Sequence, residues 1–202
     1  FVLWQPFFDG NQFWINSFLP LFLLPAFYFF YNKKWAITGL FLGVAIIFKQ
    51  TLVPLALLVS VYILFIENVN RWKSFLSYAL LGVIPSVLML AYLYKIGVLS
   101  DFFFWTIKFN LTTYAKEATI LPTFGQLARL TLPVTLVFLS LTVHKFSRLA
   151  KLSVLWLIFS IIGGITRFEF IHFLPAVPFF CISIAILINN WINDKRIIAT
   201  SA

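Results

Sequence analysis

Apolar runs of membrane-crossing length, parted by clusters of only one to three basic residues, recur from residue 13 to residue 191. In water a helix buries one stripe and a strand one face, so polar positions return every few residues. Here they return mainly at the ends of runs, which cover residues 13–31, 35–66, 75–94, 127–143, 152–166 and 171–191. In hydrocarbon every backbone N–H and C=O must be satisfied within the spanning structure, which a helix achieves alone. The expectation is all-α: a polytopic transmembrane helical bundle forming one transmembrane domain over residues 1–202. Charge decides against a soluble alternative. Only 10% of the 202 residues are charged, against about 25% in soluble domains. A chain of this size in water must still cover a polar surface.

The run 35–66 is too long for one ordinary span, and Lys49-Gln50 interrupts it near the middle. Residues 35–48 reach only about 21 Å as a helix, short of a hydrocarbon core about 30 Å thick. Either two short helices meet at Lys49-Gln50, or one long tilted helix carries Lys49 in its interior. Two helices place nine basic residues in short loops on one side and six on the other. One helix gives seven on each side and leaves Lys49 in the membrane. Short loops rich in Lys and Arg favour the cytoplasm, so the count selects two helices. About seven spans follow, in a multi-pass cell-membrane protein with the first residue outside and the last in the cytoplasm. Pro20 and Pro25 fall inside the first run and predict a kink, not a break.

The outside stretch 97–126 has its own pattern. Thr106, Asn110, Thr113 and Glu117 recur at helical spacing, and Phe103, Ile107, Leu111 and Tyr114 form a second stripe. This predicts an amphipathic helix lying in the outer interface, capped by Ser100 or Asp101, as an anchor or as a lid over a membrane-facing site. The net charge of +9 is spread between apolar runs and forms no clustered basic face, which argues against nucleic acid as a partner. Cys181 is the single cysteine, so no intrachain disulfide forms. There is no Gly-rich phosphate loop, metal-binding His pair or Gly-x-Ser-x-Gly elbow, and no cofactor is identifiable. Nothing in the sequence decides for or against a divalent metal. The opening residues, Phe1 onward, lack the pattern of a signal peptide and suggest the C-terminal-side fragment of a longer protein.

Four groups of residues are candidates for chemistry. An ammonium below the interface, as at Lys49, costs about 2.5–3.5 kcal/mol on insertion scales, and a lipid phosphate is a natural partner. Gln50 adds hydrogen-bonding capacity beside it. The alternative is a lysine that snorkels to outer water. Arg167, Glu169 and His172 fall on the same outer side; Arg suits bidentate phosphate contact, and His can donate to an oxyanion. They are equally compatible with a surface ion pair beside an interfacial histidine. Asp9 is an outside carboxylate that could serve as a general base or simply as a turn residue before Gly10. Asn110-Leu111-Thr112 matches a short glycosylation sequon.

Taken together, three segments resemble polytopic glycosyltransferases of the C superfamily, closest to the family 39, protein-mannosyltransferase-like enzymes. They are Gly39-Leu-Phe-Leu-Gly43-Val-Ala-Ile-Ile-Phe-Lys49-Gln50-Thr51, the outside stretch Gly97 to Tyr114, and Arg167-Phe-Glu-Phe-Ile-His172-Phe-Leu-Pro175-Ala-Val-Pro178. The resemblance implies transfer of a sugar from a polyprenyl-phosphate donor to an acceptor on the outer face. It implies that Lys49, Gln50, Arg167 and His172 line the lipid-phosphate site and that the main carboxylate base lies upstream of residue 1. Relatives often carry Glu where Asn16 stands here, and an amide cannot act as that base. The fragment alone is therefore expected to be inactive. Two rival expectations remain: a transporter or flippase for a lipid-linked or anionic substrate, using the same cations for binding, and a non-catalytic membrane scaffold.

Overall fold

The computed structural model describes residues 15–67, 70–114, 122–128, 134–135, 147–162 and 170–200, and every regular element among them is helical. Helix α1 (Ile15–Tyr31) runs without interruption through Pro20 and Pro25. A tight turn follows, in which Lys33 takes the left-handed conformation with φ 58°. The Asn32 amide donates to the Tyr28 carbonyl at 2.8 Å, closing the exposed end of α1. Helix α2 (Trp35–Phe48) then runs back along α1.

At Lys49 the helix stops. Its backbone is extended (φ −149°, ψ 100°), and a 3-10 turn over Gln50–Leu52 leads into α3 (Val53–Val61), which carries Pro54 in its first turn. A π-helical segment, Tyr62–Ile66, extends α3. The chain has reversed at Lys49. The Tyr62 ring lies 4.9 Å from Phe30 and 6.4 Å from Trp35, at the far end of α2. Glu67 then pairs with Lys33 at 2.8 Å, joining the two open ends of the hairpin. Residues 35–66 are thus two helices and not one tilted span, with Lys49 at the tip between them.

Helix α4 (Arg71–Lys95) lies parallel to α2 at very short range. A Cβ at Gly39 would overlap the Tyr78 carbonyl, and one at Gly43 the Gly82 carbonyl; on α4, a Cβ at Gly82 would stand 3.2 Å from the Gly39 oxygen. Small residues spaced by four allow membrane helices to bring their backbones together and gain dispersion contact. Tyr78 also donates its hydroxyl to the Ala56 carbonyl at 3.0 Å, tying α4 to α3. The glycine contact fixes relative heights. From Gly43 to Lys49 α2 rises about 9 Å, and from Gly82 to Lys95 α4 rises about 20 Å, at 1.5 Å per residue. Lys49 therefore sits roughly 10 Å short of the far end of α4 by the same rise.

After Gly97, whose φ of 76° suits the tight turn, a short helix α5 (Leu99–Phe103) packs on the end of α4 and continues as a π-helical segment, Phe104–Tyr114. Val98 holds the N-cap position, so Ser100 and Asp101 are not caps but lie in the first turn. Within the π segment the Asn110 amide reaches both the Trp105 and Thr106 carbonyls. The wider turn disturbs the 3.6-residue spacing on which the expected two stripes depend. Phe103, Ile107 and Leu111 all face outward, 44–72% exposed.

Helix α6 (Arg148–Ile161) starts at the Lys33 end: Ser147 caps it by accepting from the Ala150 amide at 3.1 Å, and the Arg148 guanidinium lies 5.2 Å from the centre of the Tyr31 ring. A 3-10 segment, Phe170–Ala176, leads into α7 (Val177–Thr200), which returns beside α6. Ser153 and Ser183 face each other at 3.3 Å between these two helices. The core lies where α1, α6 and α7 meet. Trp156 is fully buried there, its ring centre 5.3 Å from Phe27 and 5.4 Å from both Phe30 and Phe179.

Among the described residues, two helical stretches are long and apolar enough to cross a membrane, Arg71–Lys95 and His172–Asn189. Asn16–Tyr31, Trp35–Phe48 and Gln50–Ile66 are apolar but shorter. The first four residues of α4 and of α6, including Arg71, Lys73, Arg148 and Lys151, are helical rather than loop, because helices continue past the apolar run wherever backbone bonding does. The expected span 127–143 lies largely outside the described residues.

Candidate functional site

The tip of the α2–α3 hairpin meets the start of the last helix. The Lys49 ammonium donates to the His172 backbone carbonyl at 3.2 Å, across 123 residues of sequence. Both partners occupy breaks in regular α-helix. Lys49 is extended, with its own amide bonded to the Ala45 carbonyl at 3.0 Å, and its carbonyl accepts from Leu52 at 3.1 Å. His172 lies in the 3-10 segment, where the i→i+4 ladder of an α-helix is not formed, and its carbonyl accepts from the ammonium.

Lys49 is half-buried, while Gln50 beside it is exposed. One hydrogen bond uses one of the three donors of an ammonium. Among the described residues no carboxylate pairs with it; Glu67 is engaged with Lys33 at the opposite end of the bundle. The carbonyl oxygen supplies only a partial charge, so among the described residues the half-buried, oriented ammonium has no full counter-charge.

Of the residues singled out by sequence, the structure brings Lys49, Gln50 and His172 to one place. It does so through the carbonyl of His172, whereas sequence reasoning considered the imidazole. Asp9, Arg167 and Glu169 lie outside the described residues. Asn16 is buried in the first turn of α1, which packs against the 3-10 segment. Asp101 is exposed in the first turn of α5. Cys181 is half-buried in α7.

Two features of the structure escaped sequence reasoning. The first is the glycine contact that sets the depth of Lys49; the Gly39-x-x-x-Gly43 spacing in an apolar run was its signal. The second is Ser160, in the last turn of α6. Its hydroxyl is buried without a hydrogen-bond partner among the described residues, as is the indole N–H of Trp156. A serine in an apolar run carries no mark in sequence that distinguishes it from one bonded to its own helix.

Comparison of the sequence with known protein families finds no match, and neither does comparison with characterised proteins or with solved structures.

Proposed function

We propose that this chain is the membrane-embedded, phosphate-gripping part of a glycosyltransferase that takes a sugar from a polyprenyl-phosphate donor and passes it to an acceptor outside the membrane. The observation that carries the reading is the recessed Lys49 ammonium, held by a backbone carbonyl and unmatched by a described carboxylate. In such a transfer the bond from sugar to phosphate breaks, and negative charge grows on the departing phosphate. A preoriented cation in a partly desolvated site stabilises that charge more than it stabilises the donor, which lowers the barrier. Gln50 adds donors beside it, and Arg167, five residues before His172, is the second cation of the proposed site. No described residue is assigned the role of the base that activates the acceptor.

Seven crossings in the bilayer form part of this reading. α4 ends on the Lys49 side and α6 begins beside Tyr31 on the other, as a further crossing between them requires. The exposed basic residues near Lys33 then face the cytoplasm, and Lys49 faces the outer leaflet. The chain reversal at Lys49 favours the transferase over the transporter, since a transporter site built from discontinuous helices needs segments that continue across the break.

The test is transfer from a polyprenyl-phosphate sugar by the full-length protein carrying Lys49→Ala or Arg167→Ala. Loss of transfer in either variant, with the protein still folded and inserted, is expected. Unchanged transfer in both removes the proposed phosphate site.

A further inference from the structure

At the opposite end of the bundle from Lys49, α1 does not close fully against the last two helices. A groove of about 620 Å³ runs along α1 from Leu24 past Tyr28 to Tyr31, walled by Leu149 of α6 and Ile182 of α7. That volume lies within the range of ligand sites, about 300–1,000 Å³. Its wall is almost wholly apolar, yet cations stand directly on it. The Arg148 guanidinium covers the Tyr31 ring at 5.2 Å, and the Lys34 ammonium covers Phe29, another lining residue, at 5.8 Å. Both side chains are exposed.

We propose that this groove is a binding site for an anionic phospholipid, with one acyl chain along α1 and the headgroup phosphate taken by Arg148 and Lys34. Charge complementarity selects this occupant. A packed partner helix would need its own carboxylates to match the cations over Tyr31 and Phe29. A neutral lipid would leave them unused. An anionic lipid satisfies the apolar wall and the cations together, as basic pockets between membrane helices do. Arg148 is suited to the task, because its planar fork can stack on Tyr31 and still present N–H donors to a phosphate. The inference rests on membrane embedding and not on sugar transfer.

The test uses the full-length protein in nanodiscs of phosphatidylcholine containing phosphatidylglycerol with a diazirine on one acyl chain. Light should attach the probe to peptides containing Tyr28, Leu149 and Ile182, and unlabelled phosphatidylglycerol should compete far better than phosphatidylcholine. A basic residue near an anionic surface contributes about 1 kcal/mol. Lys34→Gln and Arg148→Gln should therefore each reduce labelling about fivefold, and the pair roughly thirtyfold. Arg148→Lys keeps the charge and should retain most of it. Both positions are exposed, so the fold should survive. Equal competition by both lipids, or labelling indifferent to the charge changes, overturns the proposal. So does an unlabelled groove in which a photoreactive residue at position 28 crosslinks to a second protein chain.

Discussion

Where α1 turns into α2, Lys33, Lys34, Arg71, Lys73, Arg148 and Lys151 all stand exposed; where α2 turns into α3, Lys49 is half-buried against a backbone carbonyl. The first group keeps its hydration and can lie against rings or headgroups at little cost. Lys49 has given up part of its hydration, and its position is dictated by packing: the glycine contact holds α2 against α4 at a level roughly 10 Å below the end of α4, at 1.5 Å per residue. The same residue type thus serves two purposes. In the proposed reading, the exposed lysines and arginines orient the chain in the membrane, whereas the recessed Lys49 is the cation of the proposed site.

The sharpest way to break this comparison is to remove one cation from each end and measure sugar transfer by the full-length protein. Removing a single preorganised donor to a developing anion costs about 10²–10³ in rate. Lys49→Ala is expected to fall in that range, and Lys49→Arg to recover part of it. Lys34→Ala should leave transfer within about twofold, since a single rim charge acts mainly through orientation and screened attraction. His172→Ala should lose much less than Lys49→Ala, because the group that holds Lys49 is the main-chain carbonyl. Equal losses at the two ends would make Lys49 one more rim charge.

The next effect concerns depth. Replacing Gly43 by Leu drives a side chain into the Gly82 carbonyl. Overpacking costs about 1–3 kcal/mol and at times more, and here backbone, not a flexible side chain, has to yield. Thermal unfolding in detergent should fall accordingly. Transfer should also drop in the surviving folded fraction, because the hairpin tip is displaced. A Gly43→Leu protein with normal stability would mean that α2 and α4 do not touch as described.

The break at Lys49 was legible because a short helix cannot fill a bilayer and because loop charges must fall on consistent sides. The meeting of residues 49 and 172 was legible only as a shared side, since nothing in a sequence reports which carbonyl lies opposite an ammonium. The stretch 99–114 was legible as helix but not as π-helix: the residue pattern is the same, and the ladder is chosen by backbone bonding that periodicity does not record. Caps were read two or three positions late, at Ser100 and Asp101 in place of Val98, because in this turn the cap is set by the backbone after Gly97 and no side chain takes part.

A smaller effect lies midway between the ends. Tyr78→Phe removes the hydrogen bond to the Ala56 carbonyl and leaves the ring in place. Ala56 sits inside α3, and its oxygen also accepts from the Ser60 hydroxyl at 3.0 Å, so it is not orphaned. The loss should be about 0.5–1.5 kcal/mol, read as a lowered melting temperature with transfer almost unchanged.

The smallest effect belongs to the basic end, and it tests what that end is. Lys33 and Glu67 form a 2.8 Å ion pair, but the lysine side chain is 50% exposed. Exposed pairs contribute about 0–1 kcal/mol. Glu67 is the less exposed partner, at 10%, so removing Lys33 should cost more than removing Glu67: Lys33→Ala leaves a sheltered carboxylate without its cation, while Glu67→Gln leaves an ammonium in water. Both changes should stay within that small range, and rising salt should narrow the difference between them. If Lys33→Ala instead unfolded the hairpin, the pair would be holding α2 and α3 together. The edge-on packing of Tyr62 against Phe30, and its tilted contact with Trp35, would then be the consequence of the ion pair and not its support.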